Sequence, residues 1–224
     1  MMSNLFSIFD PNNNQFFDMN WISSMTNILI IPMNYWFIKS RLNKLMSIIL
    51  ILLFKEFKII LLNKFNMLNI IYFISLFMFI LMNNFMGLFP YIFTSSSHLI
   101  FSLMISFPFW LSLMMLLWIN NTNFAFSHLI PQSTPFVLMP FMVLIETISN
   151  MIRPMTLSVR LTANMIAGHL LLTLLSNSAY NSNFMISISI IIIQILLLLL
   201  EFSVSIIQSY VFTILMILYI KETN

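Results

Sequence analysis

Long apolar runs separated by short polar breaks dominate the chain. The runs are Trp21 to Ile38, Leu45 to Phe54, Asn66 to Met86, Leu99 to Ile119, Phe136 to Leu175 and Phe184 to Ile220. All but the second approach or exceed the roughly 20 residues that carry a helix across a bilayer. Only helices and closed barrels satisfy their backbone groups in hydrocarbon, and runs this long select helices. The pattern therefore predicts an all-α membrane protein, one membrane domain over 1–224. It has about five transmembrane helices plus one interfacial amphipathic helix, and the last two are long and strongly tilted as a hairpin. The breaks agree: Asn83, Asn84, Gly87 and Pro90 end one span, NNTNFAFSHLIPQSTP follows the next, and Asn177 to Asn183 makes a polar turn.

Composition sharpens this. Hydrophobic residues are 60% of the chain and charged residues only 7%. An ordinary soluble domain carries roughly 25% charged residues, and too few polar groups remain here to cover a water-facing surface. Nucleic-acid binding, a secreted disulfide scaffold and a soluble enzyme are disfavoured together. There is no cysteine, only 2 glycines and 3 histidines, so no thiolate metal site, disulfide or glycine-rich phosphate loop is expected, and no cofactor. Abundant Ile, Met, Phe and Asn fit an AT-rich coding bias of the kind found in organelle genomes.

Charge placement sets the orientation. Residues 1–20 are polar and asparagine-rich, with Asp10 and Asp18 and no Lys or Arg. They lack the positive start of a secretory signal and read as an outer segment. Helix 1 is expected over 21–38, with Pro32 tolerated inside it. Lys39, Arg41, Lys44, Lys55, Lys58 and Lys64 then crowd into 39–64 with Glu56 as the only acid. Positive residues stay on the side of synthesis, so this segment lies inside. Its apolar stretch, Leu45 to Phe54, is too short to span and reads as a helix in the interface with snorkelling lysines. The other reading, a genuine extra span, would invert everything downstream. With spans at 66–86 and 99–119 and arms at 136–175 and 184–220, the carboxyl end returns inside, in keeping with Lys221.

Each final arm is near 40 residues, or about 60 Å as a continuous helix. Across a core of about 30 Å it must tilt by about 60° or break, beyond the usual range of tilts. Pro154 could kink the first arm. Splitting each arm into two spans is the alternative, but no loop chemistry interrupts Phe184 to Ile220.

Ionisable groups at membrane depth are costly and usually functional. Here they are Glu146, Arg153, Arg160, His169 and Glu201, with Gln194 and Gln208 as neutral companions, all in the two arms. Seven residues turn a helix through about 700°, close to two full turns. Glu146, Arg153 and Arg160 are spaced by seven and form one stripe, with Asn164 one turn further. Ala163, Ala167 and Gly168 keep that side thin. Gln194, Glu201 and Gln208 repeat the spacing on the second arm, with Ser205 alongside. Folding the hairpin at its turn brings His169 level with Glu201, Arg160 with Gln208, and Glu146 with Glu222. His169 lies nine residues beyond Arg160 and so points roughly the other way.

This chemistry suits proton transfer. His and Glu can each hold or release a proton, whereas Arg cannot be deprotonated and attracts any carboxylate brought near. A lone Arg between two acid-lined inlets describes two half-channels separated by a fixed positive charge. A buried Glu–Arg pair serving only as helix glue is the bland alternative, and Arg153 fits it as a partner of Glu146. His98 and His128 read as ordinary loop residues. No haem, zinc or nucleophile site is apparent.

At these residues the chain resembles a known family. ETISNMIRPMTLSVRLTANMIAGH, Glu146 to His169, is similar to the signature of the a subunits of F-type ATP synthases in their mitochondrial form. HLIPQSTP, His128 to Pro135, fits as well, as do Glu201 and Gln208. The likeness spans essentially the whole chain and is specific in its last 100 or so residues; the first 120 match in layout. It implies a stator proton-channel subunit of the membrane sector that makes no ATP itself. Arg160 would be the stator arginine facing a ring of c subunits, Asn164 its neighbour on that face, and Gln208 its support. His169 and Glu201 would line the half-channel open to the intermembrane space. Glu146 and, by position, Glu222 would line the one open to the matrix. Partners implied are the c-subunit ring, other membrane and peripheral-stalk subunits, and the lipid bilayer of the mitochondrial inner membrane. The amino terminus would face the intermembrane space and the carboxyl terminus the matrix.

Rival classes are an antiporter-like subunit of a respiratory complex and a passive anchor. The first carries lysines within its spans, which this chain lacks. The second needs no matched ionisable groups.

Overall fold

A computed structural model describes residues 5–11, 19–32, 37–61, 67–120, 122–130, 134–180 and 183–223. Among them the chain is helical throughout, joined by turns, with no strand. The helices are α1 (Ser23–Leu29), α2 (Arg41–Ile60), α3 (Met67–Gly87), α4 (Leu99–Asn120), α5 (Thr122–His128), α6 (Met139–Tyr180) and α7 (Phe184–Thr223). Short 3-10 turns at Leu5–Phe9, Met19–Ile22, Ser95–Ser97 and Phe136–Leu138 complete it.

Four helical stretches are long and apolar enough to cross a membrane: Asn69–Gly87, Leu99–Ile119, Phe136–Ala179 and Phe184–Lys221. The two arms are continuous, at 42 and 40 residues. They are about 60 Å long. Pro154 does not break α6, nor Pro108 α4. The buried serines and threonines of the arms bond backward to their own helix, as Ser158 does to Met155 and Ser209 to Ile206, both at 2.8 Å. Their polar groups are thus satisfied without water, and their small size lets neighbouring helices approach.

α6 packs between α4 and α7, and α7 also lies against α3. The main core gathers at the end of the bundle nearest α2. There Phe57, Ile70, Phe73 and Ile217 are fully buried together with Phe212 and Met216. α2 joins the core through Met46, Leu50, Leu53 and Phe57, a stripe at helical spacing, while its cations stay on the other faces. Ser40 caps it, accepting from the Asn43 N–H at 3.3 Å.

Some expectations change. The run Trp21 to Ile38 is not one spanning helix. α1 stops at Leu29, after 7 residues, and residues 33–36 of the run lie outside the described set. Pro32 supplies the reason: it has no N–H to bond back to Ile28 and disfavours helical backbone at Ile31. The described residues thus hold four long apolar helices where five crossings are expected. α2 is twice the length of its apolar run, because charges on a polar face do not interrupt a helix. α6 continues through Ser178 to Tyr180, which shortens the hairpin turn. The polar connection after α4 contains a helix of its own, α5. His98 is not an ordinary loop residue: it is half-buried between the rings of Trp21 and Phe93, at 5.3 and 5.2 Å.

Candidate functional site: a buried acid between the two long helices

α6 and α7 touch at Gly168. A Cβ there would lie 2.6 Å from Oε1 and 2.7 Å from Cδ of Glu201, closer than real atoms pack. Only glycine lets the carboxylate rest on the opposing helix. This contact fixes the antiparallel register at the value the spacing predicts, with His169 beside the same acid. Glu201 is 8% exposed, and neither carboxylate oxygen has a hydrogen-bond partner among the described residues.

Around this acid lies a cavity of about 260 Å³. Asn164, Met165, Gly168, His169, Leu200 and Glu201 are among its walls. It is large enough for several water molecules. His169 and Glu201 share it without pairing: Nε2 of His169 is likewise buried and unpartnered. The ring reaches the backbone of Gly87 at the end of α3 and meets the edge of Phe9 at 6.3 Å. His169 therefore turns away from Arg160, as its nine-residue offset requires.

Arg160 sits two turns before Ala167 on α6 and is half-buried. It makes no ion pair or hydrogen bond with any described residue. Gln208, expected at its depth, is also half-buried but does not hydrogen-bond to it. Arg153 behaves differently. Its Nη2 lies 3.7 Å from Oε1 of Glu146, and its guanidinium stands 5.1 Å over the ring of Tyr219 on α7. One arginine of the stripe is engaged at the α2 end of the hairpin, while the next is not. The side chain of Glu222 lies outside the described residues.

A second polar cluster escapes sequence reading. Asn83 accepts from Nδ2 of Asn27 at 2.6 Å and from Ser95 at 3.4 Å. Asn84, 1% exposed, has neither side-chain polar atom satisfied among the described residues, and Ser96 and Ser106 are buried without partners there. The sequence places this pair in the last turn of the 66–86 span, ahead of Gly87 and Pro90. The helix runs past it to Gly87, so a polar pair inside an unbroken helix was the available signal. The hydrogen bond from Tyr210 to Glu56, at 3.1 Å, joins residues 154 positions apart and carries no sequence signal.

Chemically, a carboxylate and an imidazole at one cavity, with a guanidinium unpaired among the described residues two to three turns away, can pass protons to a barrier but not through it. A profile of the ATP synthase A chain family matches residues 19–221. The chain is 54% identical over 224 residues to "ATP synthase subunit a" of Drosophila melanogaster, covering 100% of both chains. It is 54% identical over 226 residues to the protein of that name from Anopheles gambiae, again over 100% of both. With the one from Locusta migratoria the identity is 53% over 223 residues and 99% of both.

Proposed function

The chain belongs to the ATP synthase A chain family, and on that footing we propose that its two long helices carry a proton path barred by Arg160. It is a multi-pass membrane protein, the proton-channel subunit of an ATP synthase membrane sector, and it works with other subunits of that complex. The proposed path runs from the outside through His169 and Glu201, with Asn164 on the way to Arg160. Release toward the inside uses Glu146 and Glu222, and Gln208 supports the arginine. The partner that receives the proton is a ring of small c subunits bearing membrane-embedded carboxylates. The membrane is the mitochondrial inner membrane, with the amino terminus toward the intermembrane space and the carboxyl terminus toward the matrix. The peripheral stalk anchors the subunit against the torque.

The mechanism is electrostatic. A proton delivered from Glu201 neutralises a ring carboxylate, and the neutral group can then turn into lipid without the cost of a bare charge. When rotation brings that neutral group to the inner path it releases its proton toward Glu146, and the resulting ionised carboxylate is drawn past Arg160 to the outer path, where it is protonated again. One elementary charge across 100 mV is worth about 2.3 kcal/mol, which biases each step. No bond chemistry takes place in this subunit; ATP forms elsewhere in the complex.

The single observation behind this reading is the pairing of opposites in one hairpin. Among the described residues, Glu201 is buried over Gly168 with no hydrogen-bond partner, and Arg160, on the same helix face as Asn164, is likewise unpaired. Structural glue would have brought such groups together. Arg160→Ala in the assembled complex abolishes coupled ATP synthesis. Normal coupled synthesis in that variant ends the reading.

A further inference from the structure

Glu56 is the only acid in the basic stretch between residues 39 and 64. Its Oε2 accepts the hydroxyl of Tyr210 at 3.1 Å, linking α2 to α7. The next residue on α2, Phe57, is fully buried, and Leu53 one turn earlier is 7% exposed, so α2 is seated firmly on this side. On α7, Ser209, Phe212 and Thr213 flank Tyr210 and are each at most 1% exposed.

Two residues on a helix turn through about 200°, so Tyr210 and Gln208 lie on opposite faces of α7. Rolling α7 about its axis would carry Tyr210 away from Glu56 and move Gln208 by the same angle. The Gly168–Glu201 contact sets the antiparallel register, and in it Tyr210 lies at the depth of Arg160. Phe212, buried in the core, resists such a roll by packing, and the hydrogen bond at the edge adds a directional restraint to it.

We propose that Glu56 is a positioning residue for the proton path: by accepting the Tyr210 hydroxyl it sets the rotation of α7 at the depth of Arg160 and so holds Gln208 in place. This rests on the roles given above to Arg160 and Gln208. The function of Glu56 is to accept a hydrogen bond, and it carries no proton along the path.

The test uses vesicles bearing the assembled complex, stripped of its soluble head, with passive proton conductance and subunit abundance both measured. Tyr210→Phe removes one oxygen and little else. It lowers conductance roughly two- to five-fold at unchanged abundance, the scale of one lost hydrogen bond in a partly exposed setting. Glu56→Ala does the same, and the double variant is no worse than either single one. Glu56→Gln keeps an acceptor oxygen and restores conductance to near that of the unaltered protein. Unchanged conductance in Tyr210→Phe overturns the proposal, however Glu56→Ala behaves. So does additivity in the double variant, or Glu56→Gln failing as badly as Glu56→Ala, which would mark Glu56 as a proton carrier. Arg160→Ala, assayed for coupled ATP synthesis in vesicles that keep the soluble head, separates the two readings: intact coupling there removes the path itself, whereas a silent Tyr210→Phe beside an uncoupled Arg160→Ala removes only the positioning role.

Discussion

Gly168 and Glu201 face each other at the closest approach of α6 and α7, and no side chain fits between them. The acid that the proposed path needs is held where the two helices are tightest. Its seat between the two helices therefore depends on a hydrogen atom in place of a methyl group.

Gly168→Ala tests that relationship. The added methyl meets the carboxylate at 2.6 Å, so either Glu201 swings out or the helices separate. Overpacking of this kind costs about 1–3 kcal/mol. Coupled ATP synthesis falls roughly tenfold or more, because the displaced carboxylate no longer sits in the cavity it shares with His169. Synthesis rates and complex abundance in the same membranes check this, and full activity at full abundance would show that the contact is dispensable.

Glu201→Gln separates proton carriage from packing. The amide matches the carboxylate in shape, and the carboxylate has no hydrogen-bond partner within the described chain to lose. Assembly is expected to be unaffected while passive proton flux drops at least about tenfold, because an amide cannot take up and release the proton. Unaltered flux takes Glu201 out of the path.

The two arginines of the stripe should respond in opposite ways. Arg153 is tied to Glu146 at 3.7 Å and stacks on Tyr219, with 28% and 31% of the ion-pair side chains exposed. A half-exposed pair plus a cation–π contact is worth about 1–2 kcal/mol at most. Arg153→Leu is expected to lower the thermal stability of the membrane sector by a few degrees and to leave coupled synthesis within about twofold. Arg160→Ala is expected to spare stability and abolish synthesis. Thermal scans beside synthesis assays decide between this division of roles and its reverse.

Asn83 ties three segments together at the far end of α3. Asn83→Leu removes the acceptor of Asn27 and Ser95, leaving a buried amide on α1 unsatisfied. The cost is about 1–3 kcal/mol. The expected result is a lower yield of assembled complex, with normal proton flux per complex that does assemble. A loss of flux without loss of yield would instead place this cluster on the path.

Much was legible before any fold was seen. Apolar run lengths dictated membrane helices, because transfer into hydrocarbon is a local property of each 20-residue window. The seven-residue spacing of Glu146, Arg153 and Arg160 put them on one face, and the antiparallel count matched His169 to Glu201 correctly. The length of Trp21 to Ile38 misled, since backbone geometry at Pro32 overrides hydropathy. The end of the 66–86 span agrees with α3, which closes at Gly87, but the contacts of Asn83 with Asn27 and Ser95 depend on how the helices pack.

What the sequence by itself determined was the all-helical character, the four long apolar helices and which residues share a helix face, all consequences of local hydropathy and periodicity. The tertiary structure alone decided that Arg153 is engaged with Glu146 and Tyr219 while Arg160 is left unpaired among the described residues. It likewise decided that Glu201 rests on Gly168 and that Glu56 finds Tyr210 from 154 positions away. Those outcomes depend on the roll and tilt of each helix against its neighbours, which hydropathy does not encode and close packing does.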